Sequence, residues 1–114
     1  MGRPQKASPG PGIGTLDLLI LSRLVRGPMH GFGIAEYLLE VSDALSVEEG
    51  SLYPALHRLE SQGLIESEWG TSDNNRRARF YQLTPRGRRH VRQEASNWRR
   101  MVAAVNQVVE GAGL

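Results

Sequence analysis

Apolar residues recur along this chain with two different periods, and the switch between them divides it. Over residues 15–26, Leu16, Ile20 and Leu24 return every fourth position with Leu19 beside them, the spacing of one face of an α-helix. Thr15 suits the N-cap and Asp17 the positive first turn. Gly27-Pro28 ends the helix, because glycine admits a left-handed turn and proline cannot continue one. A second helix is expected over residues 31–41, with Ile34, Tyr37 and Leu38 facing one way and Glu36 and Glu40 facing water. Residues 29–33 read as a glycine-containing turn leading into it, and Ser42-Asp43 as the next break.

A third helix closes near Gln62, where Gly63 suits the position past the helix end and Leu64 can pack back on Leu59. Its start is set by a conflict. Ser46-Val47-Glu48-Glu49 matches a capping box, yet a start there sets Pro54 deep in the helix, where its ring clashes and a hydrogen bond is lost. A start near Glu49 or Gly50 eases the strain and is preferred.

The period then shortens to two. Residues 64–69 read as a strand, 70–75 as a polar turn and 79–83 as a second strand, together an antiparallel hairpin. Thr84-Pro85 opens the last helix as N-cap and first helical residue. Running to about Glu110, that helix is about 39 Å long, and the closing Gly-Ala-Gly-Leu is expected to fray.

Three helices, a hairpin and a long helix make a mainly α, α+β fold: a winged helix-turn-helix with a long C-terminal dimerisation helix. The expected division is a flexible Gly- and Pro-rich tail at 1–12, a winged-helix DNA-binding domain at 13–84 and a dimerisation helix at 85–110. A chain of 114 residues is a natural single domain.

Composition narrows the chemistry. There are no cysteines, which removes disulfides, thiol catalysis and cysteine zinc sites. The apolar run Leu18-Leu19-Ile20-Leu21 is far shorter than the roughly 20 residues of a membrane helix. The N-terminus lacks a signal-peptide stretch, so a cytoplasmic protein without a membrane partner is expected. The net charge of +2 is unevenly spread. Residues 1–70 hold five basic and nine acidic residues, whereas 71–114 hold nine basic and three acidic, all nine basics lying between Arg76 and Arg100. Such a block suits a polyanionic partner, although a solvated arginine-rich helix has the same composition.

On the third helix Leu52, Leu56 and Leu59 share one face with Ala55 beside them. Gly50, Pro54, His57 and Ser61 lie opposite, with Tyr53 and Arg58 on the shoulders and Ser51 next to Arg58. That outer face is small and polar and has no carboxylate at its centre, so it can enter a major groove about 12 Å wide. The hairpin tip adds Asn74, Asn75, Arg76, Arg77 and Arg79. A wing of this kind straddles the backbone, and Arg76 or Arg77 can enter a minor groove.

These residues carry a family resemblance. The runs 14–21 (GTLDLLIL), 27–34 (GPMHGFGI), 49–60 (EGSLYPALHRLE) and 79–87 (RFYQLTPRG) resemble the PadR family of transcriptional regulators, over about residues 13–110. The Gly-Ser-Leu-Tyr-Pro-Ala-Leu block is the most specific part. The resemblance implies a winged helix-turn-helix homodimer that usually represses its targets. It matches Ser51, Tyr53, Pro54, His57 and Arg58 to the recognition helix and residues 74–79 to the wing. The single short arm is that of smaller members; the larger C-terminal helical domain of longer members is not expected.

In the last helix Val91, Ala95, Trp98, Val102, Val105 and Val109 are spaced alternately by four and three, a heptad seam. The chain could bury it against its own first helix. A two-fold partner would bury it more fully and set two recognition helices about one DNA turn apart. Trp98 reads as an interface aromatic, or, with Met101 and Val105, as the lining of a cleft for a small aromatic effector, an option the resemblance also implies. His30, His57 and His90 lack paired metal-ligand spacing; His30 either caps the second helix or touches a phosphate. No phosphate loop and no carboxylate with a partner base is present, so no enzyme, metal or cofactor is expected. The functional expectation is a DNA-binding repressor acting on a near-palindromic operator. The competing reading is a winged-helix module for protein–protein assembly without specific DNA binding. RNA binding lacks a stacking platform.

Overall fold

A computed structural model of the protein describes residues 14–114; the expected tail at 1–12, and Ile13 with it, lie outside the described residues. The chain runs α1 (Thr15–Leu24), β1 (Met29–His30), α2 (Gly31–Val41), a short 3-10 turn (Asp43–Leu45), α3 (Glu49–Ser61), β2 (Ile65–Thr71), β3 (Arg77–Leu83) and α4 (Pro85–Gly111). This is the winged helix-turn-helix order with a long C-terminal helix. Among the described residues no helix is long and apolar enough to cross a membrane.

The helices pack their predicted faces inward. Ile20 and Leu24 of α1, Ile34 and Leu38 of α2, and Leu52, Ala55, Leu56 and Leu59 of α3 form one core with Leu64, Ile65, Tyr81, Leu83 and Val91. Leu21, which the four-residue repeat passed over, is buried as fully as Ile20. The start of α1 also differs from expectation. Gly14, at φ 77°, is the N-cap, not Thr15, so the chain enters the helix through a left-handed residue that suits glycine.

Residues 29–33 are more than a turn. Met29 and His30 pair with Tyr81 and Phe80, which makes the expected hairpin a three-stranded sheet of order β1-β3-β2. His30 then caps α2, its Nδ1 accepting the Gly33 N–H at 2.9 Å, the first of the two roles expected for it. The later start of α3 holds: the helix begins at Glu49, with Pro54 as its sixth residue. Its end is a full Schellman turn. Gly63, at φ 76°, donates to the Glu60 carbonyl at 3.0 Å, and Leu64 donates to the Leu59 carbonyl at 3.1 Å.

The end of α3, the start of β2 and the start of α4 meet at one point. Thr84 caps α4, its Oγ1 accepting the Gly87 N–H at 3.0 Å while donating to the Gly63 carbonyl at 2.7 Å. The Thr84 N–H donates to the Leu64 carbonyl at 3.1 Å. Gly87 is buried over that same carbonyl, and a β-carbon there would overlap it. From this joint α4 extends for 27 residues, about 40 Å, in a body of 51 × 28 × 24 Å.

Candidate nucleic-acid interface

Burial of Leu52, Ala55, Leu56 and Leu59 turns the opposite side of α3 outward. Gly50, Ser51, Tyr53, Pro54, His57, Arg58 and Ser61 are all exposed, so the five α3 positions expected to meet DNA share solvent-facing surface. Pro54 has no N–H, which leaves the exposed Gly50 carbonyl without its usual helical donor four residues on.

Two of these side chains are held by other elements. Tyr53 is 42% exposed, and its ring lies against Gly31 of α2. A β-carbon at Gly31 would come to 2.7 Å from Tyr53 Cε1, so the glycine makes the space the ring uses. Burial, and secondarily the Glu49 carboxylate, raise the Tyr53 phenol above its ordinary pKa. Arg58 reaches α1, where its Nη2 meets Asp17 Oδ1 at 2.5 Å. The sequence reading assigned Asp17 only to the helix dipole; nothing in a one-dimensional pattern links positions 41 apart.

Both wing strands reach two residues further toward the tip than expected, β2 to Thr71 and β3 from Arg77, while β2 starts one residue later, at Ile65. Residues 72–76 make its turn, where Ser72 N–H donates to the Arg76 carbonyl and Asn75 N–H to the Ser72 carbonyl, each at 2.8 Å. Asn75 takes a left-handed φ of 61°, a conformation that asparagine tolerates. Asn74, Asn75 and Arg76 are exposed at this turn, and Arg77 and Arg79 on β3 behind it.

Register sorts the wing into two faces. Ile65, Ser67, Trp69 and Thr71 stand opposite Leu83, Tyr81, Arg79 and Arg77. The buried members of that set mark it as the inner face, continuous with the core. Ser67 donates there to Glu60 of α3 at 2.7 Å. The inner face therefore ends, beyond the core, in Trp69, Arg77 and Arg79. Trp69 is 55% exposed. The guanidinium carbons of Arg77 and Arg79 lie 4.8 and 5.3 Å from its ring centroid, within cation–π range. Tyr81 follows on the same strand; burial first, and Glu60, raise its pKa, while Arg79 pulls the other way.

The outer face holds Glu66, Glu68 and Gly70 against Gln82, Phe80 and Ala78. Gln82 donates to Glu66 at 3.1 Å. The Phe80 ring covers Gly70, where a β-carbon would come to 2.9 Å, and meets His30 edge to face at 5.2 Å. A chain of contacts thus braces the wing to the cap of α2. One wing face is cationic and aromatic, the other acidic.

On α4 the seam residues fall into two groups. Val91 is 5% exposed and belongs to the chain's own core. Ala95, Trp98, Met101 and Val102 are half-buried, and Val105 and Val109 stand open at 40% and 41%. A cleft of about 490 Å³ lies elsewhere, lined by Leu16, Leu19, Leu45, Val47 and Ser51 among others; Trp98, Met101 and Val105 do not line it. Among the described residues no three His, Asp or Glu side chains gather as a metal site would need.

The sequence model of the Transcriptional regulator PadR-like family matches residues 20–93. A transcriptional regulator of Mycobacterium tuberculosis, Rv3488, is 39% identical over 71 residues, 62% of this chain and 64% of that protein. The crystal structure of a PadR family transcription regulator from Clostridium difficile is 33% identical, with a TM-score of 0.74 over 84% of this chain and 99% of that one. Bacillus subtilis PadR in complex with operator DNA shares the fold, at 24% identity and a TM-score of 0.63, over 71% of this chain and 46% of that one.

Proposed function

The chain belongs to the PadR-like family of transcriptional regulators, and from that premise we propose that it is a cytoplasmic homodimeric repressor of a near-palindromic operator. Residues 13–84 form the DNA-binding head and 85–110 the dimerisation arm. Ser51, Tyr53, Pro54, His57 and Arg58 face a major groove, and Asn74, Asn75, Arg76, Arg77 and Arg79 grip the flanking backbone or minor groove. The Bacillus subtilis protein of the same fold is held on operator DNA, and that mode of engagement is carried over here as part of the proposal.

The observation that carries this reading is the pairing of two surfaces: an exposed α3 side of mostly small and polar residues, with Tyr53 as its large aromatic, and a wing whose cationic face is the one turned toward α3. A protein-assembly module needs neither. Dimerisation is supported by Val105 and Val109, apolar and open on a helix that projects beyond the head. Each protomer's seam from Ala95 onward would pack against its two-fold mate. Trp98, Met101 and Val105 then lie where a small aromatic effector could be held between arms and release the DNA.

Selection of random duplexes by the purified protein, followed by a salt titration, tests the proposal. The expected result is a two-fold-symmetric motif with half-sites about 10 base pairs apart and a steeply negative salt slope. Salt-insensitive binding with no enriched motif would replace it with the assembly-module reading.

A further inference from the structure

The cluster at the end of the wing is not accounted for by a generic basic hairpin. A large aromatic side chain on a hairpin tip is ordinarily turned toward the core or paired with another apolar group. Trp69 does neither: it is more than half exposed, and its two partners are the guanidinium groups of Arg77 and Arg79. The register explains why. Arg79 is the residue directly opposite Trp69, and Arg77 is two residues along the same strand and on the same face.

We propose that Trp69 is a positioning residue that holds Arg77 and Arg79 as a two-cation clamp for successive phosphates of one DNA strand. The inference rests on the DNA-binding reading above and deepens it. Residues two apart on a strand are separated by about 6.6 Å, a spacing comparable to that between neighbouring phosphates. Unassisted, that clamp is unfavourable: the two like charges repel, and arginine is among the side chains with most rotamer freedom to lose on being fixed. The electron-rich face of the indole offsets both, attracting each guanidinium while the free protein is still unbound. The N–H groups not engaged by the ring remain available for phosphate oxygens.

The outer face makes the orientation one-sided. Glu66 and Glu68 stand on the opposite side of the sheet, so only the Trp69 side can approach a phosphate without repulsion. Arg76, at the turn, has no aromatic partner in the cluster and is the cation left to probe a groove. The clamp thus contributes affinity without sequence information, and Arg76 with Asn74 and Asn75 contributes any reading of groove width.

The test compares wild type, Trp69→Leu, Trp69→Phe, Arg77→Ala/Arg79→Ala and the Trp69→Leu triple variant on a mixed-sequence duplex across a salt series. Wild-type binding without salt dependence would defeat the DNA-binding reading itself. Given salt-dependent wild-type binding, Trp69→Leu is expected to flatten the slope of log Kd against log salt by about 1–2 units, at about 0.9 per phosphate contact. Trp69→Phe should restore most of it, since a phenyl face still attracts cations. In the Arg77→Ala/Arg79→Ala background, Trp69→Leu should have no further effect. An unchanged slope in Trp69→Leu, or an equal loss in both backgrounds, overturns the proposal. NMR of the free protein provides a reading independent of DNA: ring-current shifts on the Arg77 and Arg79 side-chain protons, present in wild type and lost in Trp69→Leu. Their absence in wild type overturns it too.

Discussion

The guanidinium of Arg58 on α3 and the carboxylate of Asp17 on α1 meet at 2.5 Å, so the arginine nearest the proposed groove-facing surface is already neutralised from behind. The pair is partly solvated, with Arg58 half exposed, and such bridges contribute little to stability, about 0–1 kcal/mol. Its larger effect falls on binding. Asp17→Asn should leave the melting temperature nearly unchanged, tighten binding to mixed-sequence duplex by roughly 2–5-fold, and narrow the margin between operator and random DNA. Fluorescence anisotropy on both duplexes checks this; weaker binding to both would mean that Asp17 orients Arg58 productively.

Tyr53 occupies space that only glycine at position 31 leaves open. Gly31→Ala should therefore destabilise the fold by about 1–3 kcal/mol through overpacking. The same change in a Tyr53→Ala background should have a much smaller effect, because the clash is with that ring. Denaturant midpoints of the four proteins in the cycle give the coupling. Additive losses would show that the strain arises elsewhere.

Alkaline pH should weaken the fold through Tyr53 and Tyr81, whose phenols are both raised above 10.0 chiefly by burial. A raised folded-state pKa means that the native protein holds the proton more tightly than the unfolded chain. The contribution is complete below the unfolded value, about 10, and is lost as pH climbs through the higher folded values. Unfolding free energy followed across that window should fall, and by less in Tyr53→Phe. Absorbance titration of the native protein should show these two phenols ionising late.

Gly87→Ala sets a side chain against the backbone carbonyl of Leu64, an atom fixed by the Thr84 N–H. A loss of about 2 kcal/mol or more is expected, since the obstacle cannot rotate away. Gly111→Ala, in open space at the far end of the same helix, should be neutral or stabilising by up to about 1 kcal/mol. Urea midpoints for the two variants separate the close approach from helix propensity.

Val105→Glu tests the arm. The side chain is exposed in the isolated chain, so head stability should not change. Light scattering should give the monomer mass, and affinity for a full operator should fall by about 100-fold or more as the second head is lost. Binding to a single half-site should persist.

Where a residue's neighbours lie within a turn or two of it, the pattern along the chain was enough to read them. Leu52, Ala55, Leu56 and Leu59 declare the buried side of α3 by spacing alone, and their burial exposes Ser51, Tyr53, Pro54, His57 and Arg58. Gly63 and Thr84-Pro85 mark their helix ends through local backbone chemistry. Two-residue β1 has no period to detect, and its pairing with Phe80 depends on contacts fifty residues away. The Asp17–Arg58 bridge is equally non-local. The wing strands overrun their expected ends at the tip because Gly70 and Ala78, which pair with each other, are weak strand formers by type and interrupt the pattern, yet are held in the ladder by register. Trp69 had a legible signal that went unused: it alternates in phase with Ile65 and Ser67, which places it beside whatever stands on the inner face of the returning strand.

The meeting of Leu64, Thr84 and Gly87 leaves no hinge between head and arm. Three backbone or hydroxyl hydrogen bonds and one contact with no room for a β-carbon fasten them within four residues of chain. In the proposed dimer each protomer would act as a lever with its fulcrum outside itself, so a small rotation of α4 would sweep the wing tip through a larger arc instead of being absorbed at a flexible neck. Control of the proposed dimer would then be exerted through the angle between stiff bodies, and a ligand that merely loosened the arm would move nothing at the other end.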